Sequence, residues 1–104
     1  MMPFNRETAA RLAERRLAEW LSTARYADLL GWEESGKQDR RELIADDGKL
    51  YQVVTYVLPD GDGRLRLVAA VDDGGWSAVA PLTRDKIMNP DGRLVEPLDR
   101  PSGP

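Results

Sequence analysis

The chain has 104 residues, 41% of them apolar and 32% charged, with a net charge of −3 and no histidine or cysteine. That composition suits one globular domain with a single core; it is too apolar for disorder and has no apolar run long enough to span a membrane. The missing residue types exclude Ser-His-Asp and Cys-His catalysis, disulfides, and every zinc site built from Cys or His. The acidic balance disfavours a generic phosphate-binding surface, so neither nucleic acid nor membrane is the expected partner. Arginine outnumbers lysine, twelve to three, a bias that suits interfaces but equally follows from a GC-rich bacterial genome. No apolar leader is visible at the N-terminus, which makes the cytoplasm the default compartment.

The first segment predicts one long helix over residues 6–30, capped by Asn5. Ala9, Ala13, Leu17, Trp20, Leu21, Ala24 and Ala27 recur on one side at the helical period, while Arg11, Arg15, Ser22 and Arg25 point away. Gly31 fits the left-handed position after such a helix, and Trp32 then folds back on the last turn. Residues 33–40 are polar and read as a surface linker around Gly36.

Beyond residue 40 the period changes from 3.6 to 2. Asp47-Gly48 predicts a two-residue type I′ hairpin, Pro59 to Gly63 a longer one, Asp72 to Gly75 a third, and Asn89 to Gly92 a type I turn. The expected strands are 41–46, 49–58, 64–72 and 76–80, in one antiparallel meander. Residues 82–88 are open to either strand or helix, and 93–95 could add a short fifth strand. The fold class is therefore α+β: the long N-terminal helix on one face of a four-stranded sheet, within a single domain over 1–95. Residues 96–104, with three prolines, read as a flexible tail.

The turns set a register: Ile44 opposite Tyr51, Val57 opposite Leu65, Val71 opposite Trp76. One face then collects Ile44, Tyr51, Val53, Val57, Leu65, Leu67, Ala69, Val71, Trp76 and Ala78, the face the Ala-rich helix should cover. The other holds Leu43, Gln52, Val54, Tyr56, Arg64, Arg66, Val68, Ala70, Ser77 and Val79. On it Val54, Val68 and Val79 should form a row beside Tyr56 and Arg66, a mixture typical of binding surfaces.

Chemistry-bearing candidates are few. Asp60-Gly61-Asp62-Gly63 resembles the first half of a calcium loop, but Arg64 and Arg66 follow where further oxygen ligands are needed. Turn formation explains these acidic pairs, and Asp46-Asp47 and Asp72-Asp73 as well. Glu33, Glu34, Glu42 and Asp46 could be nominated as paired carboxylates, though no spacing selects two of them. Lys49 and Lys86 sit next to turns, where lysine stays solvated. No catalytic residue, metal ligand or cofactor is assigned. Trp20, Tyr51 and Trp76 belong to the expected core, Trp32 to a helix cap, and Tyr56 is the large aromatic on the outer face.

Two functions are compatible with these features. The first is a non-catalytic protein-binding module, either a small cytoplasmic regulator or a toxin-neutralising, immunity-type inhibitor. It would act through Tyr56, Arg66, Val54, Val68 and Val79, and the same outer face could pair two copies as a homodimer. The second is a small-molecule sensor or accessory domain with a pocket between helix and sheet at Trp20, Tyr51 and Trp76.

Overall fold

The computed structural model describes residues 4–75 and 81–95. Two helices, α1 (Arg6–Leu21) and α2 (Tyr26–Ser35), precede four strands: β1 (Gln38–Ile44), β2 (Leu50–Pro59), β3 (Leu65–Asp72) and β4 (Leu82–Met88). The strands form one antiparallel meander in the order β1-β2-β3-β4. Both helices lie on one face, α1 against β3 and β4 and α2 mainly against β2. This is the α+β architecture expected from the change of period. Neither helix is long and apolar enough to cross a membrane.

The expected 6–30 helix is instead broken at Ser22–Arg25. Asn5 caps its start, accepting the Thr8 N–H at 3.1 Å. At the far end the Ser22 hydroxyl donates to the Glu19 carbonyl and the Thr23 hydroxyl to the Trp20 carbonyl, local bonds that compete with the helical ladder. Arg25 is then extended, with φ −114°. Gly31 lies inside α2 and does not end a helix. The left-handed residue is Gly36 (φ 67°), where the Gly36 N–H reaches the Glu33 carbonyl and the Lys37 N–H the Trp32 carbonyl, a Schellman ending. The expected 33–40 linker is thus the last turn of α2 and the start of β1.

The first hairpin also departs from the sequence expectation. Ala45 N–H donates to the Lys49 carbonyl at 3.0 Å, Gly48 N–H to the Ala45 carbonyl at 2.9 Å, and Gly48 is the turn residue with positive φ. The loop is three residues, Asp46-Asp47-Gly48, a type I turn closed by a glycine bulge. One extra residue shifts the register by one and exchanges the faces of β1. Leu43, not Ile44, stands opposite Tyr51, and Ile44 pairs with Leu50 on the outer face. The second hairpin shifts by two, placing Val57 opposite Leu67, so its faces are preserved. The fourth strand is 82–88, with Leu82 opposite Val71. The expected 76–80 strand, with Trp76, Ser77, Ala78 and Val79, lies outside the described residues. The expected fifth strand reduces to one bridge, Met88 to Leu94, with Val95 N–H donating to Ile87 O at 2.8 Å.

The core sits between helices and sheet. Ala9, Leu12, Ala13, Leu17 and Trp20 of α1 meet Leu29 of α2 and the inward residues Tyr51, Val53, Val57, Leu65, Leu67, Ala69, Val71, Leu82 and Met88. The alanines let the helix approach the sheet closely. Trp20 fills the corner against Trp32, ring centroids 5.0 Å apart. Arg16, in the same stripe as Leu12 and Trp20, is buried too, and its guanidinium lies 3.4 Å from the Asp39 carboxylate of β1. That pair ties the first strand back to α1, and Arg41 of the same strand meets the carboxylate as well, at 2.8 Å.

Candidate functional site

The outer face of the sheet carries Val54, Tyr56, Arg66 and Val68 together, on the side away from both helices. Tyr56 stands between Gln38 and Val68, and Val54 between Arg40 and Ala70. Val54 and Val68 are therefore diagonal neighbours, not members of one row, and Val79 lies outside the described residues. Val54 and Tyr56 are half-buried. Val68, at 5% exposure, is buried, so a partner would not touch it without moving its neighbours.

Arg66 is committed inside the protein. Its Nε and one terminal nitrogen meet Asp60 Oδ1 at 3.2 and 2.7 Å, and its other terminal nitrogen meets Asp85. The hydrogen bond to Asp60, more than any other influence, holds the guanidinium toward its charged form. Charge-assisted bonds of this kind clamp the β2–β3 loop to β4. Arg66→Ala is expected to cost ~1–2 kcal/mol in urea unfolding, since the clamp is partly solvated. Arg66→Lys should recover only part, because an ammonium cannot reproduce the fork.

The register shift brings one side chain from the expected core to the outer face, beside two exposed leucines that sequence reasoning passed over. Ile44, expected in the core, is 75% exposed, and its cross-strand partner Leu50 is 49% exposed. Leu58, at the far end of the same side of β2, is 44% exposed. The outward side of β2 therefore reads Leu50, Gln52, Val54, Tyr56, Leu58, apolar at every position but one, with Ile44 alongside. The glycine bulge after Asp46-Asp47 is the signal that could have located Ile44.

Trp20 and Tyr51, nominated together for a ligand pocket, are not brought together. Tyr51 packs near Phe4, just before α1, ring centroids 6.3 Å apart, and Trp20 lies near the far end of that helix, about 21 Å from its first residue along the axis. Trp76 lies outside the described residues. A different groove, of about 590 Å³, runs along the α1–α2 corner, where Trp20, Ala24, Ala27, Gly31, Trp32 and Lys37 are among its lining residues. The Lys37 ammonium lies 4.8 Å from the Trp32 ring centre.

Beside the first hairpin the Tyr51 hydroxyl donates to Asp47 Oδ2 at 2.6 Å. Burial, then this bond, pushes the phenol up to about 12, while the same bond holds Asp47 below the usual carboxylate range. A raised phenol stabilises the fold fully below the unfolded value, ~10, and that contribution is lost as pH climbs through the folded value. Urea midpoints should therefore hold steady from pH ~7 to ~9 and fall between ~10 and ~12. In Tyr51→Phe that part of the fall should disappear.

No group of three carboxylates suited to a metal ion occurs among the described residues. The Asp60 carboxylate faces Arg66 and Arg64 across the turn, and the other acidic turns accept local N–H bonds, Asp47 from Lys49, Asp72 from Gly74 and Asp91 from Arg93. Thermal melts with and without excess calcium should coincide. A native-state site would instead add about 2.7 kcal/mol at a hundredfold excess over its dissociation constant. No known protein family, curated protein or solved structure matches the chain.

Proposed function

We propose that this chain is a non-catalytic protein-binding module, a small cytoplasmic regulator or immunity-type inhibitor, that meets its partner on the outer sheet face. The observation that carries the reading is the apolar strip Ile44, Leu50, Val54, Tyr56 and Leu58 on the side opposite both helices. Antiparallel sheets with one wet face normally alternate apolar-in and polar-out. A strip of this kind, interrupted by Gln52 and bordered on β1 by Arg40 and Glu42, has the composition of an interface with an apolar centre and polar edge. Val68 is buried beneath this surface, while Arg66, half-exposed and already paired with Asp60 and Asp85, borders it.

A photo-cross-linking residue at Ile44 or Tyr56, compared with one at Arg15 on the exposed side of α1, tests it in cells. A discrete adduct with a second protein from positions 44 and 56, absent from position 15, is the expected result. Equal labelling from all three would overturn the assignment. Tyr56→Ala should weaken the adduct from position 44 while leaving the fold intact. Arg66→Ala is unsuitable for this purpose, because it also loosens the β2–β3 loop.

The second reading, a small-molecule accessory domain, rests on the Trp20–Trp32 groove and the Lys37 cation beside it. A planar aromatic carboxylate is the ligand class that would stack on Trp32 and pair with Lys37. Saturable quenching of tryptophan emission by benzoate, lost in Lys37→Ala, would favour this reading; linear quenching would sink it.

A further inference from the structure

We propose that two copies of the chain pair along the open edge of β1, antiparallel, with the two-fold axis at Arg41. The inference deepens the protein-binding reading by naming one partner, a second copy, and it rests on the outer strip only for its consequence.

The phase of the hydrogen bonds comes first. The Ala45–Lys49 bond at the hairpin mouth shows that odd-numbered residues of this strand turn their N–H and C=O toward β2. Gln38, Arg40, Glu42 and Ile44 therefore direct theirs outward, and among the described residues nothing meets them. The opposite edge differs, because Val95 already bonds to Ile87 of β4. All seven residues of β1 have accessible side chains.

Charges select the occupant. Asp39, Arg40, Arg41 and Glu42 crowd this edge, and such a run repels or strands the charges of an arbitrary incoming strand. A two-fold axis normal to the sheet keeps faces aligned, so only residues of like parity meet. Centred on Arg41, the pairing sets Arg40 opposite Glu42 of the second copy, twice, and Gln38 opposite Ile44. Both are outward-directed pairs, so the backbone bonds form at the same positions. The like pair at the axis, Arg41 with Arg41, brings its own counter-ions, since each Nε lies 2.8 Å from Asp39. Centring on Arg40 would instead oppose two guanidinium groups beside the neutral Gln52 amide, 2.8 Å away. In the favoured register the exposed Ile44 of one copy lies opposite Gln38 of the other, one strand short of Tyr56, so the two apolar strips share one face of an eight-stranded sheet.

A seven-residue ladder is small for an interface, so dissociation in the micromolar range is expected. Sedimentation equilibrium of the full chain from about 5 to about 500 µM should show the average mass rising from 11.6 kDa toward twice that value. Glu42→Arg sets Arg opposite Arg40 and should weaken association about tenfold or more. The double variant Arg40→Glu/Glu42→Arg restores opposite charges in exchanged positions and should restore the dimer, with circular dichroism verifying each fold. A wild type that stays monomeric, a Glu42→Arg variant that dimerises equally well, or a double variant that fails to recover each overturns the proposal. The outer-face reading has a separate test: adducts from Tyr56 to a different protein that persist in Glu42→Arg would leave it standing when the dimer falls.

Discussion

Trp20→Ala is expected to remove ~3–5 kcal/mol of stability, a large share of the total for a domain of this size. Trp20 is 8% exposed and ends the buried stripe of α1, where its ring meets that of Trp32 at 5.0 Å. Truncation takes away the transfer energy of the indole and leaves a void that alanines nearby are too small to fill. It also unfastens α2, because Trp32 loses the surface it leans on. Urea unfolding followed by circular dichroism measures the loss, and a change below about 1 kcal/mol would mean that α1 does not pack through this residue. Trp32→Ala should cost less, since Trp32 is only half-buried at the rim of the groove.

The sequence made the class of fold legible because two signals agree in it. The 3.6 period of Ala9, Ala13, Leu17 and Trp20 gives way to period 2 in β2, and glycine turns separate the strands. What it concealed were effects of one residue or one bond. The helix break depends on the hydroxyls of Ser22 and Thr23 choosing local carbonyls over the ladder, while Ala24, Ala27 and Leu30 continue an apolar pattern across it. The first hairpin depends on whether Asp46 belongs to the strand or the turn. That single choice moved Ile44 from the core to the outer face, beside the β2 strip on which the proposed function rests.

The candidate surface was legible in part for the same reason. Val54, Tyr56, Arg66 and Val68 do share the outer face, because a two-residue slip in the second hairpin preserves faces. Their availability was not legible. The partners of Arg66 come from the loop at Asp60 and from β4 at Asp85, 6 and 19 residues away, and no local pattern encodes either contact. Arg16 did carry a signal, standing in register with Leu12 and Trp20 on a buried stripe, where an arginine must find a carboxylate or leave the core.

Leu29→Ala is the second large effect expected, ~3–5 kcal/mol, and it separates the roles of the two helices. Leu29 is 1% exposed and is the one described residue of α2 that is fully buried. Ten residues make a helix too short to persist alone, so α2 depends on this anchor, on the Trp20–Trp32 contact and on the Tyr26 hydroxyl bonded to the Gly63 carbonyl. If the helices unfold with the sheet as one unit, Leu29→Ala lowers global stability and leaves the dependence on urea unchanged. If α2 opens separately, amide exchange accelerates across residues 26–37 while the β2 and β3 amides keep their wild-type protection. The shared contact at Trp32 favours the first outcome, and it makes a further demand on the double mutant. Trp20→Ala and Leu29→Ala should then cost less together than the sum of their separate effects, because the first change already loosens the helix that the second would release.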